Sequence, residues 1–194
     1  MLQLITYYSK GLFEIKMIKV KKLDCGITLV SEKEPELQAA SVGIWVGAGS
    51  AYESDEINGI SHYIEHMFFK GTSNRTYKEI AVDMDNLGAQ YNAFTGKEYT
   101  CFHAKGIREE FPEVCDILFD MIKNSLFDEN EMKKERGVIL EEMRMGEDTP
   151  DEYALDLLSE AVFDGTDLSK SVIGTRKALK GIHREDILAY IKEQ

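Results

Sequence analysis

Two histidines four residues apart enclose a glutamate in the run His62-Tyr63-Ile64-Glu65-His66. On a helix, residues at this spacing share a face, so both imidazoles can point at one ion. Glu65 lies beside His66, close to such an ion without having to bind it. Imidazole nitrogens combined with a carboxylate suit zinc, and a catalytic zinc keeps one coordination position for water. A neighbouring carboxylate can take the proton of that water, whose pKa the metal brings close to neutrality. The chemistry implied is metal-assisted hydrolysis, with Glu65 as general base. The order His-x-x-Glu-His is the reverse of the commoner His-Glu-x-x-His.

Two histidines need a third ligand. The segment from Glu129 to Met145 has helical character, and on it Glu135, Ile139 and Glu142 fall on one face. A carboxylate on a face shared with Ile139 and Val138 asks for a partner, because burying it unpaired is expensive. A metal would satisfy Glu142, and Glu135, two turns earlier, could orient a histidine from behind. Spacing alone leaves Glu141 and Glu142 equally available as the ligand.

The elements that must position these residues are legible around them. Ile18 to Ser31 reads as a strand pair turning at Asp24-Cys25-Gly26, and Ala39 to Val46 as a further apolar strand. A helix starts near Asn58 or Ser61, runs through Phe69 and stops at Gly71, with Ile60, Ile64, Met67 and Phe68 as its core stripe. Tyr77 to Leu87 is a second helix. Ala89 to Thr95 and Tyr99 to Ala104 form a hairpin around Gly96-Lys97. Ile107, Phe111, Val114, Cys115, Leu118, Phe119 and Ile122 follow helical spacing. Helices over Glu129 to Met145, Pro150 to Phe163, after Thr175 and near Arg184 to Lys192 complete the chain. Early strands, hairpin connections and late helices predict a single α+β domain, a largely antiparallel sheet packed against several helices.

The segment His62-Tyr63-Ile64-Glu65-His66-Met67-Phe68-Phe69-Lys70-Gly71-Thr72 closely resembles the signature of the pitrilysin and mitochondrial-processing-peptidase family, which includes insulin-degrading enzyme. The resemblance extends through Gly47 to Glu53, Asn58 to Ile60, Asn86 to Thr95 and Glu135 to Met143, nearly the whole chain. It implies the metallohydrolase domain of that family, over residues 18–194, with residues 1–17 as an N-terminal extension. It implies zinc held by His62, His66 and Glu142, water activation by Glu65, and a supporting role for Glu135. It also implies that Asn92 and Ala93 lie on an edge strand that receives peptide substrate as an added strand, a mode that reads extended backbone and fits unfolded polypeptides. His103 and His183 lack ligand-like spacing and read as structural or exposed.

Family members resemble one another in having a second homologous domain or subunit that closes around the substrate. This chain stops at Gln194, before the strand that normally follows, and has Thr166-Asp167 where the family usually has His-Pro. The expectation is a zinc endopeptidase domain that alone cleaves weakly or not at all. The competing reading is a non-catalytic assembly or peptide-binding subunit of the same fold; such relatives usually lose one of the zinc or base residues, and all four are present here.

Composition sets the outer limits. A formal net charge of -12 argues against nucleic acid as partner. No apolar run approaches a membrane span. Three widely spaced cysteines, Cys25, Cys101 and Cys115, suit buried free thiols in a reducing compartment, and the expected location is cytoplasmic.

Overall fold

Strand-forming segments of the first half meet in one six-stranded sheet in the computed structural model, which describes Gln3–Leu4 and residues 18–194. The strands are β1 (Gln3–Leu4), β2 (Lys19–Lys22), β3 (Thr28–Ser31), β4 (Ala39–Val46), β5 (Gln90–Thr95) and β6 (Thr100–Ile107). Their order is β2-β3-β1-β4-β6-β5. Every neighbouring pair is antiparallel except β1 and β3, which run parallel. Apart from β1, the proposed extension 1–17 lies outside the described residues.

The predicted hairpins form. Gly26 takes φ 92° in the β2–β3 turn, a left-handed conformation that glycine adopts without Cβ strain. β6 extends further than local periodicity indicates. Ile107, which helical spacing assigns to the following helix, instead ends the ladder opposite Ala39 of β4. Backbone pairing with a strand far away in sequence overrides the local pattern there.

Seven α-helices are present among the described residues: α1 (Ile60–Phe68), α2 (Tyr77–Asn86), α3 (Phe111–Asn124), α4 (Glu129–Asp148), α5 (Pro150–Val162), α6 (Arg176–Gly181) and α7 (Arg184–Glu193). Their starts have identifiable caps. Thr76 and Glu79 form a reciprocal capping box on α2, and the Asp128 side chain accepts from Asn130 and Glu131 at the head of α4. Pro150 occupies the first turn of α5, where no intrahelical N–H is needed.

The core lies between the sheet and helices α1 and α3, with α4 packed on α1. Ile60, Ile64, Met67 and Phe68 of α1 are all buried, as their stripe predicts. Phe68 meets Phe102 of β6 edge-to-face at 4.7 Å. On α4, Ile139 is buried while Val138 is half exposed, so the buried face runs through Met132, Glu135, Ile139 and Met143. α5 differs from the rest: none of its residues is buried, and Leu155, Leu158 and Val162 face outward. Cys25 is exposed, contrary to the expectation of buried thiols, because it occupies the tip of the β2–β3 turn; Cys101 is buried. No helix among the described residues is long and apolar enough to cross a membrane.

Candidate metal centre and the strand beside it

Helix α1 starts under unusual constraint. Gly59, its N-cap, has φ 98°, and the carboxylate of Glu53 takes the place of a conventional capping side chain. Glu53 is 2% exposed. Its Oε2 accepts from the Gly59 N–H at 2.6 Å and from Asn58 Nδ2 at 3.0 Å, while Oε1 accepts from the Ser61 N–H at 2.9 Å. A negative charge at a helix N-terminus satisfies otherwise orphaned N–H groups and complements the helix dipole. Asn58 also donates to the Ser171 carbonyl, and Ser61 Oγ lies 2.9 Å from the Tyr190 hydroxyl of α7. The first residue inside this anchored turn is followed within two positions by His62.

His62 and His66 stack edge-to-face, ring centroids 4.8 Å apart, on the face of α1 that meets α4. Glu142 of α4 reaches them: its Oε2 lies 3.9 Å from His62 Nε2 and 3.5 Å from His66 Nε2. One ligand atom from each of the three residues falls within 4.8 Å of the other two. Packing thus separates the two candidates that spacing could not. Glu141 points away and pairs with Arg144 on the exposed side of the helix, while Glu142 faces the histidines.

The donor set fits zinc. Burial, and then the neighbouring His66, push the His62 imidazole down to about 4, so it stays neutral with a lone pair free. Its Nδ1 is buried and has no hydrogen-bond partner among the described residues. His66 Nδ1 is 3.1 Å from Glu135 Oε2; with the proton on Nδ1, the lone pair of Nε2 turns to the side where Glu142 lies. Two imidazoles and one carboxylate are a donor set of catalytic zinc sites.

Glu65 projects from the same helix toward the sheet, where the Thr95 hydroxyl of β5 donates to its Oε2 at 2.5 Å. Burial raises the Glu65 carboxyl above its ordinary value, partly opposed by the Thr95 hydrogen bond and His66, and reinforced by Glu142. A carboxylate tuned upward is a better proton acceptor at neutral pH.

β5 forms one edge of the sheet and, through Ala93, Phe94 and Thr95, borders the cavity that His62, Glu65 and Glu142 also line. Ala93 is buried against the core and Asn92 is exposed. The Asn92 side-chain oxygen accepts the Ala93 N–H at 2.9 Å, covering one backbone donor of the edge. The cavity lining is acidic on balance: Glu147, Glu152, Asp156 and Glu160 line it with Glu142, against Lys97, Lys170 and an Arg176 already paired with Glu147. His103 sits on β6, near Phe94 and away from the cluster, and the backbone N–H of His183 is bonded to Asp186 at the head of α7.

Several residues of this arrangement carry little local sequence signal. Glu53, Lys70 and Thr95 acquire their partners through packing, although all three stand inside the segments that resemble the family. Glu53 is the most legible of them, an acidic residue shortly before a helix start.

An α+β domain with an open edge strand beside two histidines and a carboxylate has the architecture and donor set of a metallohydrolase. Comparison with known proteins agrees. The sequence model of the insulinase family (peptidase family M16) matches residues 28–176. An uncharacterised zinc protease of Bacillus subtilis (strain 168), YmxG, is 44% identical over 176 residues, 90% of this chain and 43% of the relative. The beta subunit of the human (Homo sapiens) mitochondrial-processing peptidase is 38% identical over 173 residues, 89% of this chain and 35% of that subunit. Among solved structures, a protease from Helicobacter pylori superimposes with a TM-score of 0.82 at 21% identity, over 91% of this chain and 43% of that one. A peptidase M16 inactive domain from Pseudomonas fluorescens does so with a TM-score of 0.83 at 14% identity, over 90% and 43%. At such identities the structures establish the fold alone. This chain belongs to the insulinase family of peptidases, and it spans less than half the length of these relatives.

Proposed function

We propose that this chain is the zinc-holding domain of an inverzincin-type metalloendopeptidase that hydrolyses peptides or unfolded polypeptides. The observation that supports this most is the convergence of His62, His66 and Glu142 from two helices, with Glu65 adjacent. His62, His66 and Glu142 would hold the ion. Bound zinc supplies Lewis acidity, polarising the scissile carbonyl and acidifying water. Glu65, held by Thr95, takes the proton of the attacking water and delivers it to the leaving amine. Glu135 fixes the orientation of His66.

The substrate adds as a strand along β5, using backbone groups near Asn92 and Ala93. Asn92 releases the Ala93 N–H as the peptide arrives. The acidic excess of the cavity lining favours basic or neutral peptides over acidic ones. The relatives' greater length supports a second homologous domain or subunit that completes the chamber, so this chain alone cleaves weakly or not at all. Three free cysteines and a bacterial zinc protease among the relatives support a cytoplasmic location.

A non-catalytic, peptide-binding role is the second reading, because a domain described as inactive shares the fold. The presence of all four zinc and base residues favours the enzyme. Substitution Glu65→Gln separates the two. In the protein completed by its second domain it should lower peptide hydrolysis by roughly 100-fold or more while zinc content stays unchanged. Unaltered hydrolysis would remove Glu65 from the mechanism, and no hydrolysis by the unsubstituted protein would leave the binding role.

A further inference from the structure

The carboxylate of Glu135 faces two donors with its two oxygens. Oε2 is 3.1 Å from His66 Nδ1, and Oε1 is 2.7 Å from Lys70 Nζ. Glu135 is 7% exposed, and a carboxylate this deep is costly unless its charge is matched. Lys70 is placed to match it. Its backbone N–H donates to the Met67 carbonyl just beyond the end of α1, so its stem begins one turn past His66. The Lys70 side chain is largely covered, and it is the lysine paired with Glu135 among the described residues.

We propose that Lys70 is a positioning residue of the metal site: by holding Glu135 Oε1, it turns Oε2 toward His66 Nδ1 and thereby presents His66 Nε2 to the ion. This rests on the reading of His62, His66 and Glu142 as zinc ligands. Lys70 touches neither the metal nor the substrate. The terminal torsion of a glutamate is soft, so a carboxylate with one donor can offer either oxygen, or neither, to the imidazole. Two donors on opposite oxygens remove that freedom. His66 then keeps its proton on Nδ1 and its lone pair on Nε2.

The sign of the effect distinguishes this role from a plain charge effect. A cation near a dication site repels the dication, so removing it should tighten zinc on Coulombic grounds alone. Positioning predicts the reverse. Zinc dissociation constants are measured by chelator competition on the intact chain for the wild type, Lys70→Met, Lys70→Arg, Glu135→Gln and the Lys70→Met/Glu135→Gln double variant. Lys70→Met should weaken zinc about 10-fold, in the range seen when such outer partners are lost. Lys70→Arg should recover most of the affinity. In the Glu135→Gln background, Lys70→Met should add nothing, because its action runs through Glu135.

Imidazole nitrogen NMR of the metal-free chain provides a second readout. His66 should be the Nδ1-protonated tautomer in the wild type and in Lys70→Arg, and a mixture in Lys70→Met. This test holds even if the variant is too unstable for metal titration at higher temperature. Zinc binding by the wild type with unchanged or tighter binding by Lys70→Met overturns this inference alone. So does an equal loss in the Glu135→Gln background. Absence of zinc binding by the wild type overturns the metal reading and this inference together.

Discussion

At the scale of single residues, Glu142 faces His62 and His66 while its neighbour Glu141 pairs with Arg144 on the exposed side of α4. Two adjacent carboxylates on one helix point about 100° apart, and only the packing of α4 on α1 decides which meets His62 and His66. Glu141→Gln should therefore leave zinc content unchanged, and Glu142→Gln should reduce it sharply; elemental analysis of the two variants checks this. Asp120 poses a different question. It is 7% exposed, and its carboxylate accepts from Thr72, Asn74, Arg75 and Asn124. Burial pushes its carboxyl upward, but the hydrogen bonds from Asn124, Asn74, Thr72 and Arg75 together outweigh that and hold it at about 2. A folded value below the ordinary 3.8 stabilises the fold above pH 4, and this contribution is lost as pH falls through 2. Its size is roughly 2 kcal/mol. The stability gap between the wild type and Asp120→Asn, measured by urea unfolding, should be widest near neutrality and narrow steadily below about pH 4. A gap that does not change with pH would mean that Asp120 contributes through shape rather than charge.

At the scale of elements, α1 is defined by what grips its start. Glu53 caps its start, and the segment Ser171 to Gly174 presses against the same turn. Gly174 has φ 84°, and a Cβ there would stand 2.2 Å from the Asn58 carbonyl oxygen. Gly174→Ala combines a left-handed backbone with a clash against backbone, which together should cost about 2–4 kcal/mol. That corresponds to a loss of roughly 5–12 °C in Tm, measured by thermal melting. A change within experimental error would show that this segment is free to move away from α1. The helices and both hairpins were readable from periodicity and turn residues, because these are local properties. The end of β6 at Ile107 was not, since it depends on Ala39 across the sheet. The place of β1 between β3 and β4 was not readable either, resting as it does on two residues and on pairing with strands distant in sequence.

At the scale of the whole molecule, the domain presents surfaces suited to company. α5 turns Leu155, Leu158 and Val162 outward while its acidic residues Glu152, Asp156 and Glu160 line the cavity. The chain matches less than half the length of its zinc protease and processing-peptidase relatives. Peptide hydrolysis by this chain alone should be at least about 10-fold slower than by a protein in which a second homologous domain closes the chamber, because the substrate is then held from both sides. Equal rates per site would show that one domain suffices. The motif, the helix that bears it and the helix that carries Glu142 were all visible in the sequence. The contacts that tune them, donated by Thr95 and Lys70 and accepted by Glu53, depend on tertiary packing and became visible only in three dimensions.

The proposed function stands on His62, His66 and Glu142 holding zinc in this chain. Elemental analysis after purification and zinc loading, followed by removal of loosely bound metal, tests it most directly. About one zinc per chain is predicted for the wild type and for Glu65→Gln, with little in His62→Ala, His66→Ala or Glu142→Gln. A wild type without zinc, or a Glu142→Gln variant that keeps all of it, would contradict the account.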